Sequence, residues 1–189
     1  MLQDLGINNG NSPVDNEIAI IGSPDLMRDV VRRLRLNISY STRKGIRTED
    51  LYGSTLPVTV TMPDIPEEDN ASFKLHLQSN GDFTITDLKL KKKTFERAPI
   101  HGRLGVPVST PLGRITVNPA KGFEKMARDS KIDINVSRVS VRTAAKNYAA
   151  SLKSTVDKKM RNVVELTWTG PSIEKATDIL NTLIAAYND

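Results

Sequence analysis

The alternation of apolar and polar side chains predicts most of the elements. Residues 1–16 are rich in Asn, Gly, Ser and Asp and read as a flexible N-terminal arm. Glu17–Ile21 reads as a short strand. Ser23-Pro24-Asp25 reads as a helix start, with Ser as N-cap, Pro at the first helical position and an acid in the first turn. Leu26, Met27, Val30, Val31 and Leu34 then fall on one arc at helical spacing, with Arg28, Arg32 and Arg35 as a stripe on the other side. This predicts an amphipathic helix over 24–35, followed by a strand over 37–42.

The middle of the chain is β-rich. Val58, Val60 and Met62 alternate with Thr, and Phe73, Leu75 and Leu77 precede Phe83 and Ile85. A three-residue loop at Ser79-Asn80-Gly81, with Gly81 left-handed, sets Leu77 opposite Phe83 and Leu75 opposite Ile85. A two-residue loop would mix the faces, so register favours the longer one. Residues 97–120 hold four prolines and three glycines and read as turns around short extended pieces, Arg114–Val117 among them. Ile132, Ile134 and Val136 alternate, and Val139 and Val141 continue on the other parity, which predicts a bulge near Ser137-Arg138.

Strand and helix alternate again in the last third. Thr143–Leu152 reads as a helix. Val164, Leu166 and Trp168 form a one-faced strand. Gly170-Pro171 starts a helix whose apolar arc is Ile173, Ala176, Thr177, Leu180, Leu183, Ile184 and Tyr187. The class expected is α+β: a sheet with amphipathic helices packed on one face, plus a β-rich insertion. Residues 17–189 read as a single α/β base domain with the insertion at about 53–130. The last helix runs to Asp189 without a stop signal, which reads as a segment of a longer chain.

Composition narrows the chemistry. The 189 residues include no Cys, so a disulfide framework, a thiolate nucleophile and Cys-ligated metal are excluded. Two histidines make a His-rich metal site unexpected. His76 falls on the polar parity of a strand and reads as a surface residue; His101 sits among turns with no evident orienting partner. No phosphate-binding loop, dinucleotide fingerprint or nucleophile elbow is present. Glu67-Glu68-Asp69 reads as a solvated loop. No carboxylate pair singles itself out for glycan hydrolysis. No cofactor, metal or catalytic residue is expected, and the segment reads as non-enzymatic. No apolar run approaches the roughly 18 residues that cross a bilayer, and Met1–Asp4 lacks the start of a signal peptide.

Charge is uneven. Residues 1–90 carry 9 basic and 13 acidic side chains, and residues 91–189 carry 18 and 9. A basic half suits an anionic partner, and nucleic acid or another anionic ligand is the alternative reading. The densest cluster, Lys89 to Lys93, has only Phe95 near it, and aromatics are 5% overall. Nucleic-acid binders interleave aromatics for stacking, so no nucleic acid is expected and the lysines read as a solvated strand end. The Arg28, Arg32 and Arg35 stripe is the candidate interface.

Asn16-Glu17-Ile18-Ala19-Ile20-Ile21-Gly22-Ser23-Pro24-Asp25-Leu26, with Val30-Val31 and Leu34-Arg35-Leu36-Asn37, resembles the opening of bacterial polysaccharide chain-length determinant proteins of the Wzz and Wzc type. Val164–Pro171, with Lys175-Ala176, Ile179–Ile184 and Tyr187-Asn188-Asp189, resembles that family's strand and following helix, and Tyr148–Leu152 its preceding short helix. Gly170 stands where the family carries a polar cap. The resemblance covers roughly half the chain. It implies an extracytoplasmic domain at the periplasmic face of the inner membrane, with flanking transmembrane helices that this chain lacks. It implies regulation of polysaccharide chain length or export by homo-oligomerisation and contact with a polymerase or the growing glycan. Some members carry a cytoplasmic tyrosine kinase, and whether the parent of this segment has one stays open. The family supplies no catalytic residue to transfer.

Overall fold

A computed structural model gives the fold of residues 13–95, 98–126, 131–156 and 163–189. Residues 1–12, most of the expected N-terminal arm, lie outside the described residues. Residues 13–16 belong to a helix, α1 (Pro13–Ile21), and so does Glu17–Ile21, which was expected as a strand. A short apolar run does not distinguish the two states by itself. Here Ile21 buries against other helices, and Gly22 N–H closes the turn on the Ile18 carbonyl at 2.9 Å. The second helix, α2 (Pro24–Leu34), forms as expected. The Ser23 hydroxyl accepts the Leu26 N–H at 3.2 Å, and Met27, Val30 and Val31 are buried. Arg35 ends it in the left-handed region, φ 53°.

The β-rich part builds one core from two sheets. The larger contains β1 (Ile38–Lys44), β2 (Arg47–Leu51), β4 (Ala71–Gln78), β5 (Asp82–Leu90), β6 (Lys93–Phe95), β7 (Ile100–Arg103) and β10 (Lys131–Arg138). Its antiparallel order is β2-β1-β10-β4-β5-β6, with β7 also on β5. The smaller, in order β3-β9-β8, contains β3 (Val58–Thr61), β8 (Val108–Thr110) and β9 (Gly113–Pro119). Phe73, Leu75, Phe83, Ile85 and Ile134 from the first and Val58, Ile115 and Val117 from the second share one buried cluster. The stretch 53–130 is therefore no appendage, because β10 runs between β1 and β4.

The β4–β5 hairpin has the expected register. Leu77 faces Phe83, Leu75 faces Ile85, and Gly81 has φ 86°. The expected bulge at Ser137-Arg138 is absent, since β10 pairs regularly with β4 through Arg138. The parity change there marks the end of the strand: Ser140 accepts the Thr143 N–H at 3.1 Å and caps a helix. The bulge lies in β5 instead. Ser72 faces Lys89 and Lys74 faces Thr86, so β5 carries an extra residue at Asp87, φ 53°. That returns Leu88 to the buried face.

The helices form a second core. Besides α1 and α2 it holds α4 (Val141–Ala149), β11 (Leu152–Val156), β12 (Val164–Trp168) and α5 (Ile173–Asn188); a short α3 (Phe123–Met126) follows β9. The α4 helix stops short of its expected end, and Leu152 opens β11. α2 packs on α4 and α5, and the β11–β12 hairpin runs beside α1 and α5. The class is α+β. Within it the small sheet covers the large one, and the helices cover one another and the hairpin.

The α5 helix is rolled relative to its expected apolar arc. Ile179 and Leu183 are fully buried, while Ile173 is 87% and Ile184 49% exposed. Both stripes are apolar, and only the neighbouring helices decide which one turns inward.

Candidate functional site

The candidate arginines lie on and just beyond α2. Arg28 pairs with Asp25 on its own helix. Arg32 reaches Glu67, in the β3–β4 loop, at 3.0 Å. Arg35 sits past the helix end, at a small cavity of about 110 Å³ also lined by Tyr40, Tyr52 and Lys175. Burial pushes the Tyr40 hydroxyl up to about 12, with the Val60 N–H and the Arg35 charge opposing it. So Arg28 and Arg32 each face a carboxylate of their own chain, and Arg35 is set apart. Exposed pairs of this kind contribute about 0–1 kcal/mol, so a partner's carboxylate can replace either one.

The first turns of α5 are tied to the end of β2 by a polar cluster. Lys175 Nζ lies 3.1 Å from Asp50 and 5.5 Å from the ring centres of both Tyr52 and Tyr148. The Tyr52 hydroxyl donates to Asp178 at 2.9 Å. Glu174 accepts the Ser54 N–H at 3.1 Å and hydroxyl at 2.9 Å, which holds its carboxyl below the ordinary range. At the other end of the helix the Tyr187 hydroxyl lies 2.5 Å from Glu17, and Arg33 lies 2.8 Å from Asp189.

The outer face of the large sheet carries a row that local spacing did not reveal. Asp133, His76, Thr84 and His101 are direct cross-strand neighbours on β10, β4, β5 and β7. His76 Nδ1 is 2.7 Å from Asp133, and Nε2 is 2.9 Å from the Thr86 hydroxyl. With a carboxylate accepting at Nδ1, neutral His76 holds its proton there and accepts from Thr86 at Nε2. His76 is a surface histidine as expected, but one whose ring is fixed at both nitrogens. The polar parity of β4 was the available signal; the partners came from β10 and β5. His101 also has a partner, with Nδ1 3.2 Å from Thr84. Among the described residues no group of three or more His, Asp or Glu could hold a metal ion.

The lysine run is divided rather than massed. Lys91 pairs with Asp69 at 3.0 Å, and Lys93 lies over Phe95 at 5.0 Å.

An open cleft of about 670 Å³ lies where three turns meet: Ser79–Gly81, Arg103-Leu104 and Pro119–Glu124. Its walls are braced by the backbone. Leu104 N–H donates to Gly81 O at 2.9 Å, Ala120 N–H to Pro57 O at 2.8 Å, and Gly122 N–H to Leu56 O at 2.9 Å. Leu104 and Phe123 line it and pack from behind on the β core. Asn80, Arg103, Lys121 and Glu124 are exposed around it. Sequence reading missed these residues, because no local spacing links positions 80, 103 and 121.

No protein-family model and no curated protein matches this chain. No described helix is long and apolar enough to cross a membrane.

Proposed function

We propose that this chain is a non-catalytic extracytoplasmic module of a polysaccharide co-polymerase, at the periplasmic face of a bacterial inner membrane. It regulates chain length or export by self-association and by contact with a polymerase or the growing glycan. One observation carries this reading. The two segments that bear the resemblance, 16–37 and 164–189, share a single core although they lie at opposite ends of the sequence. Glu17 meets Tyr187 and Arg33 meets Asp189. A domain held between two membrane-anchored segments needs its ends together, and these contacts supply that.

Self-association has surfaces to use. The outward stripe of α5, with Ile173 and Ile184 exposed, is apolar surface without a partner among the described residues. Arg28 and Arg32 on α2 offer cations whose exposed ion pairs a partner's carboxylate can replace, and Arg35 lies past the helix end.

The test is the polysaccharide ladder of the host on a gel. Deleting the parent gene is expected to collapse or shift the chain-length distribution. Changing Arg28, Arg32 and Arg35 to Glu in the full-length parent is expected to shift it. An unchanged ladder on deletion, with no redundant paralogue, would sink the proposal.

A further inference from the structure

We infer that the cleft between the three turns binds a carboxylated oligosaccharide. The inference rests on the co-polymerase reading and adds the place and the sugar chemistry. A pyranose ring presents a small apolar C–H face and a rim of hydroxyls. The cleft offers the complement: Leu104 and Phe123 as apolar patches, with Asn80 and Glu124 as polar groups for hydroxyls. Its volume falls in the range of ligand sites.

Charge selects the acidic sugar. Arg103 and Lys121 line the cleft with one carboxylate, Glu124, while Asp82 stands opposite Arg103 in the β5–β7 pair and the Glu174 carboxyl feels the Lys121 charge. Among the described residues neither cation forms an ion pair within 4.0 Å, whereas Arg28, Arg32, Arg33 and Arg114 all do. A guanidinium binds a carboxylate with two parallel hydrogen bonds, which an ammonium cannot do. Arg103 is therefore placed to orient a uronate group, with Lys121 adding charge.

The walls are already set. Asn80 accepts the Asp82 N–H at 3.0 Å and donates to the Asp82 carboxylate at 2.8 Å, which fixes the first turn. The Leu104–Gly81 bond joins that turn to the second. A preformed cleft loses little conformational freedom on binding. Phe123 is the single aromatic residue lining the cleft, whereas binders of single-stranded nucleic acid stack successive bases on several aromatics.

The test titrates the isotopically labelled 189-residue chain with an α-1,4-linked galacturonate hexamer, followed by NMR. Maltohexaose is the neutral control. Saturable shifts are expected for the amides of Asn80, Arg103, Leu104 and Lys121 to Glu124. Affinity for maltohexaose should be weaker by about tenfold or more, and binding of the galacturonate should weaken with salt. Arg103→Gln with Lys121→Gln, both exposed, should lose about tenfold in galacturonate affinity with an unchanged amide spectrum elsewhere. Lys121→Arg should retain binding. No saturable shift, shifts centred on another surface, or equal affinity for both sugars would overturn the inference. The gel ladder is independent of this titration. A ladder unmoved by deletion with galacturonate still bound overturns only the co-polymerase reading, and a moved ladder with no binding overturns only the cleft.

Discussion

The Tyr52 hydroxyl donates to the Asp178 carboxylate at 2.9 Å and so joins the end of β2, on the sandwich, to α5, in the helical layer. Burial and the neighbouring Asp178 both raise the tyrosine's pKa, so the hydroxyl stays protonated and remains a donor across the physiological range. A hydrogen bond to a charged group contributes about 1.5–3 kcal/mol when shielded, and about 1 kcal/mol is expected at this half-exposed site. Tyr52→Phe removes the donor and leaves the ring under Lys175. It should lower the urea midpoint reported by Trp168, the single tryptophan, which stacks on Tyr148 at 5.8 Å. A Phe variant with an unmoved midpoint would show that the bond does not hold the two layers.

Arg138 is only 8% exposed and satisfies three carbonyl oxygens of the β3–β4 loop. Nη1 donates to Pro66 at 2.9 Å and Asp69 at 2.7 Å, and Nη2 to Ile65 at 3.3 Å. Burial lowers its pKa, with the Asp69 and Glu67 charges working the other way. Arg138→Met strands these acceptors away from a donor and should cost about 2–4 kcal/mol in chemical denaturation. Arg138→Lys keeps the charge but cannot span three acceptors, and should fall between. Equal stability of the Met variant and the parent would mean that water satisfies the loop.

How much of this was legible follows from how local each cause is. Ser23 and Pro24 announced α2 because a cap needs only its next three residues. The hairpin register was legible because Leu77, Phe83, Leu75 and Ile85 leave one consistent buried face. α1 was not, since a short apolar run obeys both periods. Nor was the roll of α5, because Ile179 and Ile184 are equally apolar and only α2 and its neighbours choose between them. The shared face of Arg28 and Arg32 was legible. The partner of Arg32 was not, because Glu67 lies 35 residues away. Of the cleft only the Ser79–Gly81 turn was legible: Asn80, Arg103 and Lys121 meet only once β4, β5 and β7 pair in one sheet and β9 joins the other.

Gly102 lies opposite Phe83 in the β5–β7 pair, and the ring of Phe83, 1% exposed, covers it. A methyl group at 102 would come within 2.4 Å of Phe83 Cζ and 2.7 Å of Val108 Cγ1. Backbone dihedrals are not the obstacle here; the obstacle is a packed ring that cannot give way. Gly102→Ala should cost about 1–3 kcal/mol through overpacking. In a Phe83→Leu background the same change should cost measurably less, because a shorter side chain leaves room. Equal penalties in the two backgrounds would mean that Phe83 is not what excludes the methyl.

Three carboxylates give the stability a predictable response to acid. Arg114 holds Asp64 below the usual range through its side chain at 3.1 Å and its N–H at 2.8 Å. Lys74, at 2.8 Å, does the same for Asp87, and the Ser54 N–H and hydroxyl do so for Glu174. Each folded pKa is depressed, so each group binds a proton more readily in the unfolded chain, where carboxyls titrate near about 4. The contribution is fully present above that value and is lost as pH falls through the folded pKa values. Urea midpoints should therefore be insensitive to these groups between about pH 5 and 7 and fall steeply below about pH 4. A variant with Asp64→Asn, Asp87→Asn and Glu174→Gln starts less stable at neutral pH and should lose less on acidification. If its midpoint falls as steeply as that of the parent, the acid response arises from other carboxylates and the three contacts do not control it.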